Sequence, residues 1–178
     1  DEEKDVTRRV REVIKRLEEE LEEVVRRHRE SLKRLKERLE EVVRRNRKSI
    51  REIEKEVKDA GLPDEVKRRL DEIKKESEKR IDDARRREEE VEKDSERRIK
   101  EVEDRLKRKA ERIEKAREER GVDEDVDREL ARMLEELRDL LRRLAEELKR
   151  IDEELEKELR DVARELEKID RDMREELR

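Results

Sequence analysis

His28, Ser31, Ser95 and Asp152 are the residue types from which a hydrolytic triad is built, and Asn46, Ser49, Ser77 and Asp170 make a second set without the imidazole. In a triad the imidazole takes the serine proton, a carboxylate orients the imidazole, and backbone N–H groups hold the oxyanion. The surrounding sequence does not supply that setting. The only two glycines, Gly61 and Gly121, stand far from every candidate nucleophile, so no glycine-rich loop can form an oxyanion hole. Metal chemistry fares no better. Carboxylate-bridged sites in helical bundles take Glu-x-x-His pairs from two helices; here there is one His, and Val25 rather than Glu precedes it by three. With no Cys there is no thiolate, disulfide or CxxC zinc site. No catalytic residue, metal or cofactor is expected, and the eight residues are read as structural polar positions.

Their spacing explains why. "VVRRHRESL" at 24–32 returns as "VVRRNRKSI" at 42–50, eighteen residues on, with His28 replaced by Asn46. Apolar residues follow the same period. From Val126 they run through Leu130, Met133, Leu137, Leu141 and Leu144, in steps of 4, 3, 4, 4, 3. Eighteen residues make about five turns of an ideal helix, so such a stripe stays on one face without supercoiling. Val10, Val13, Leu17, Leu21 and Val24 open the same cycle, as do Val66, Leu70, Ile73, Ser77, Ile81 and Ala84. His28 and Asn46 stand on the column of Val10, Ser31 and Ser49 on that of Val13, and Ser77 and Ser95 on that of Ile113. Glu88 interrupts the column of Leu70 and Leu106. It has no evident partner, and its long side chain can reach solvent.

Two short segments, "DAGLPDEV" (59–66) and "ERGVDEDV" (119–126), break the pattern and align with each other. In each, Gly suits the left-handed residue after a helix, and Leu62 or Val122 can pack back on the last turn. Asp123 is a good N-cap, Pro63 suits a helix start, and the acids that follow favour the positive end of the dipole. The expected fold is all-α: an antiparallel up-down-up three-helix bundle over 1–178, with long, nearly straight helices near 4–60, 64–120 and 124–178. Residue i of the first helix should face roughly residue 124 − i of the second, and the third should run parallel to the first with an offset of about 120. That geometry predicts two buried polar layers, His28–Ser31–Ser95 with Asp152 and Asn46–Ser49–Ser77 with Asp170. An unpaired buried polar group costs about 1–3 kcal/mol, so such layers would select one register. A lone buried imidazole resists protonation, but one site offers little leverage as a pH switch.

Charged residues make up 66% of the chain, yet 56 basic residues nearly balance 61 acidic ones and the apolar residues are periodic, which argues against disorder. By segment the charge is +2 over 1–60, +1 over 61–120 and −8 over 121–178, together the −5 of the whole. The acidic third helix is expected to help set the pairing order. Without aromatic residues or a sustained basic face, nucleic acid is not an expected partner. No apolar run approaches a membrane span, signal-peptide core or lipidation motif, so a soluble chain is expected, cytoplasmic on recombinant expression.

The near-identical connectors, the repeated phrase "LEEVVRR-x-R-x-S", the absence of Gln and aromatics, and the polar layers resemble computationally designed, untwisted helical bundles with buried hydrogen-bond networks. Natural spectrin-type repeats differ in being heptad-based and in keeping core aromatics. The resemblance implies a very stable scaffold without catalysis or a natural cellular role. It also implies a competing role as one part of a homo- or hetero-oligomeric bundle, completed by self-association or a partner helix. The stripes of the first and third helices are widened by Ile14, Val25, Val43, Leu140 and Ala145, which would either close their mutual contact or mark a groove.

Overall fold

The computed structural model describes residues 2–121 and 123–177, the side chains of Glu2 and Glu3 excepted. Three helices account for nearly all of them: α1 (Glu2–Ala60), α2 (Asp64–Arg120) and α3 (Glu124–Glu176). They pack together as an all-α bundle.

The connectors behave as their chemistry requires. Gly61 and Gly121 adopt φ of 60° and 66°, the left-handed region that L side chains avoid. The Leu62 N–H donates to the Val57 carbonyl at 3.4 Å, and the Gly121 N–H to the Arg117 carbonyl at 3.2 Å, satisfying last-turn acceptors. Leu62 packs against the cluster containing Ile53 and Val57, as the sequence suggests; its counterpart Val122 lies outside the described residues. Asp123 caps α3 by accepting the Asp125 N–H on Oδ1 at 3.3 Å.

The chain forms two compact units, each with segments of all three helices: unit 1 is Asp1–Glu30 with Lys93–Ile151, and unit 2 is Ser31–Glu92 with Asp152–Arg178. In unit 1, Leu17, Leu21, Ile99, Ile113, Leu137, Leu144 and Leu148 are buried in one core. Ile14 and Val25, two of the residues that widen the α1 stripe, are buried in it too, while Leu140 is partly buried against it. In unit 2, Ile50, Ile53, Val57, Leu70 and Met173 form a cluster at the α1–α2 turn, and Val43 is buried.

Ion pairs record the register. Between α1 and α2, Arg29 pairs with Glu96 in unit 1, and Arg47 with Glu78 and Glu40 with Arg85 in unit 2. In each pair the residue numbers add to 125, one more than the expected 124. Between α2 and α3, Arg98–Glu147 and Lys109–Glu136 in unit 1 add to 245. So do Arg69–Glu176, Arg80–Glu165 and Arg87–Glu158 in unit 2. Constant sums are the signature of antiparallel neighbours. The parallel α1–α3 relation appears in unit 2, where Ser49 bonds Asp170 at an offset of 121. Along α2–α3 every such pair sets a cation of α2 against an acid of α3, so the acidic third helix does face a complementary edge. Each pair is at least partly open to solvent and contributes little to stability by itself; its value is in which partner edge it accepts.

Candidate functional site: the buried polar positions

Among the described residues six polar or charged side chains are buried: His28, Asn46, Ser77, Glu88, Ser95 and Arg117. All six stand on the apolar lattice, which is why the helices carry them inward.

Unit 2 holds all four members of the predicted Asn layer. Asn46 and Ser77 are buried, while Ser49 and Asp170 are half-buried. The Ser49 hydroxyl donates to Oδ1 of Asp170. Arg174, one turn beyond Asp170, donates from Nη2 to Ser49 Oγ at 3.1 Å and places Nε 3.5 Å from Asp170 Oδ2. The structure therefore joins Ser49 to Asp170 and adds Arg174, a partner that spacing alone did not indicate. Asn46 and Ser77 are not joined to them: neither amide atom of Asn46 nor the Ser77 hydroxyl has a hydrogen-bond partner among the described residues. A buried hydroxyl without a partner is a cost, so Ser77→Ala is expected to stabilise the chain by about 1 kcal/mol in urea denaturation. A loss of that size instead would place the hydroxyl inside a bonded network.

The predicted His layer divides between the units. His28 and Ser95, both buried, belong to unit 1; Ser31 and Asp152, both half-buried, belong to unit 2. Close to His28 in unit 1, Arg29 donates two 2.9 Å bonds to Glu96. These bonds hold the Glu96 carboxyl below its ordinary range, with a smaller contribution from the charge of His28.

Glu88 is held mostly inside the bundle, whatever its length would allow. It is 7% exposed, and Oε1 is buried without a hydrogen-bond partner among the described residues. Desolvation is the main cause that pushes its carboxyl from 4.5 up to about 7. Lys36 and Arg85 act the other way and Glu40 and Glu92 with it. The two cations are already engaged, Lys36 with Glu92 and Arg85 with both oxygens of Glu40 at 3.1 Å, which leaves Glu88 in a nearly compensated field.

Arg117 is the buried cation that sequence reasoning missed. It is 4% exposed in the last turn of α2, where the helix dipole favours positive charge. Nη1 donates to Asp127 Oδ1, while Nε and Nη2 are buried without partners among the described residues. The signal was available: Arg117 stands one repeat after Ile99 and two after Ile81, on a core column.

Among the described residues no group of three or more His, Asp or Glu is placed to hold a metal ion, and no helix is long and apolar enough to cross a membrane. No protein-family model, curated protein or solved structure matches the chain, which is established by its own packing as an all-α three-helix bundle.

Proposed function

We propose that the chain is a structural scaffold of computational design, a self-contained and thermally resistant helical bundle with no catalytic task. One observation carries this reading: α1 turns its widened stripe into the chain's own interior, with Ile14 and Val25 buried in unit 1 and Val43 in unit 2, and Leu140 of α3 is partly buried against the unit 1 core. The repeated 18-residue phrase and the matched connectors support a design origin, because local choices agree with the global pattern almost everywhere. The polar positions act as register devices. A slip of α3 by seven residues along α1 would set Asp170 level with Val42 instead of Ser49, leaving a half-buried carboxylate without its hydroxyl.

Light scattering on the purified chain, with circular dichroism on the same sample, tests the proposal. A helical species near the 22.1 kDa of one chain is the expected result. A defined dimer or higher species would replace the scaffold reading with that of an oligomer subunit.

A further inference from the structure

In unit 1 the half-buried edges of the helices are of two kinds. Where α2 meets its neighbours the edges are charged and bridged, by Arg29–Glu96 toward α1 and by Arg98–Glu147 and Lys109–Glu136 toward α3. The remaining half-buried positions of α1 and α3 are mostly apolar, Thr7, Glu23 and Asp127 excepted. On α1 they carry Val13 and Val24, and on α3 Leu134 and Ala145, each pair eleven residues apart and all four half-buried. Eleven residues are about three turns, so each pair shares one side of its helix. Val13, Val24 and Leu134 pack as partly buried residues against the one core of unit 1. No ion pair crosses this seam in unit 1 among the described residues.

The charge beside the seam is one-sided. Eight outward positions lie three or four residues from these four side chains. Arg9, Arg16 and Arg27 flank the valines on α1, and Arg138, Arg142 and Lys149 flank Leu134 and Ala145 on α3, all exposed. The other two are Glu20 and Ala131. Arg27 is tied to Glu23 at 3.0 Å and Arg142 to Asp139 at 2.6 Å. Arg9, Arg16, Arg138 and Lys149 have no ion-pair partner among the described residues. An apolar strip between two banks of cations, four of the six without an ion-pair partner among the described residues, has less countercharge beside it than the α2 seams possess.

We infer that the α1–α3 seam of unit 1 is a docking face for an amphipathic helix of another protein, one whose apolar stripe is bordered on both sides by Glu or Asp. The seam receives the stripe, and each bordering carboxylate meets a guanidinium or ammonium one turn from the apolar contact. A second copy of this chain is a poor occupant, since the same face would bring a second set of six cations against the first. The inference goes beyond the scaffold reading: the mass of the free chain tests that reading, and binding to the folded monomer tests this one.

Two labelled synthetic helices provide the test. Both carry the 4, 3, 4, 4, 3 apolar stripe, one bordered by Glu and the other by Lys, and each is titrated with the full chain by fluorescence anisotropy at low and high salt. The Glu-bordered peptide is expected to bind about tenfold or more tightly than its Lys counterpart, with the advantage shrinking as salt is raised. The double variant Arg16→Glu with Arg138→Glu, its helicity verified, should remove most of the preference, because four cations then stand against Glu20 and the two new carboxylates. Equal binding of the two peptides, binding of neither, or an unchanged preference in the double variant would overturn the inference. So would self-association of the free chain abolished by Val24→Arg.

Discussion

Glu88→Leu is expected to stabilise the chain, and to do so far more at pH 8 than near pH 4.5. The Glu88 carboxyl titrates at about 7 in the fold against an ordinary 4.5, because its burial penalises the charged form. Between those values the folded chain holds a proton that the unfolded chain has released. Stability from this group is therefore full below about 4.5, declines as the pH rises, and is lost above about 7. The span corresponds to roughly 3 kcal/mol of differential stability at about 1.4 kcal/mol per unit. Leu is the residue that the Glu88 column carries one repeat earlier and later, at Leu70 and Leu106, so the substitution restores the lattice. Glu88→Gln separates the contributions, since it removes the titration while keeping the polar shape. Denaturant unfolding of all three proteins at several pH values measures the effect, and comparing differences between proteins cancels what the groups common to all three contribute. A stabilisation by Leu that did not vary between pH 4.5 and 8 would show that the Glu88 carboxyl titrates in the folded chain as it does in the unfolded one.

The fold was more legible than the polar chemistry, for a physical reason. An 18-residue stripe with two Gly-containing breaks leaves almost one arrangement open, and the observed sums of 125 and offset of 121 differ from expectation by one residue each. Column membership was equally informative about depth: His28, Asn46, Ser77 and Ser95 are all buried. Bonding was not legible at that resolution. Ser49 and Asp170 meet while Asn46 and Ser77 do not, a distinction set by rotamers and by shifts smaller than one helical position. Arg174 joins because a long side chain reaches back one turn, which a lattice of Cβ positions does not express. Glu88 and Arg117 expose the opposite bias. Charged residues on core columns invite the assumption that they snorkel fully to water, yet Glu88 and Arg117 are only 7% and 4% exposed.

The thinness of the α2 core places Ile99→Ala among the most damaging of the simple truncations. The α2 lattice surrenders four core positions to Ser77, Glu88, Ser95 and Arg117, so its remaining aliphatics carry more of the contact with α1 and α3. Ile99 is 1% exposed and lies in the same core cluster as Leu137, Leu144 and Leu148. One turn before it stands Ser95, fully buried and too small to fill a void. Collapse of the helix into the cavity is opposed from both sides, because Arg29–Glu96 and Arg98–Glu147 fix the residues flanking Ile99 to α1 and α3. A site that cannot relax sits at the costly end of large-to-small substitutions, so a loss of roughly 3–5 kcal/mol is expected. Val102→Ala, at a position 7% exposed and with fewer methyl groups to lose, should cost clearly less. Urea unfolding with an unchanged denaturant slope would measure both losses as changes in the native state. If Ile99→Ala cost no more than about 1 kcal/mol, α2 would have to be free to close on the cavity, and the ion-paired seams would not be holding its register.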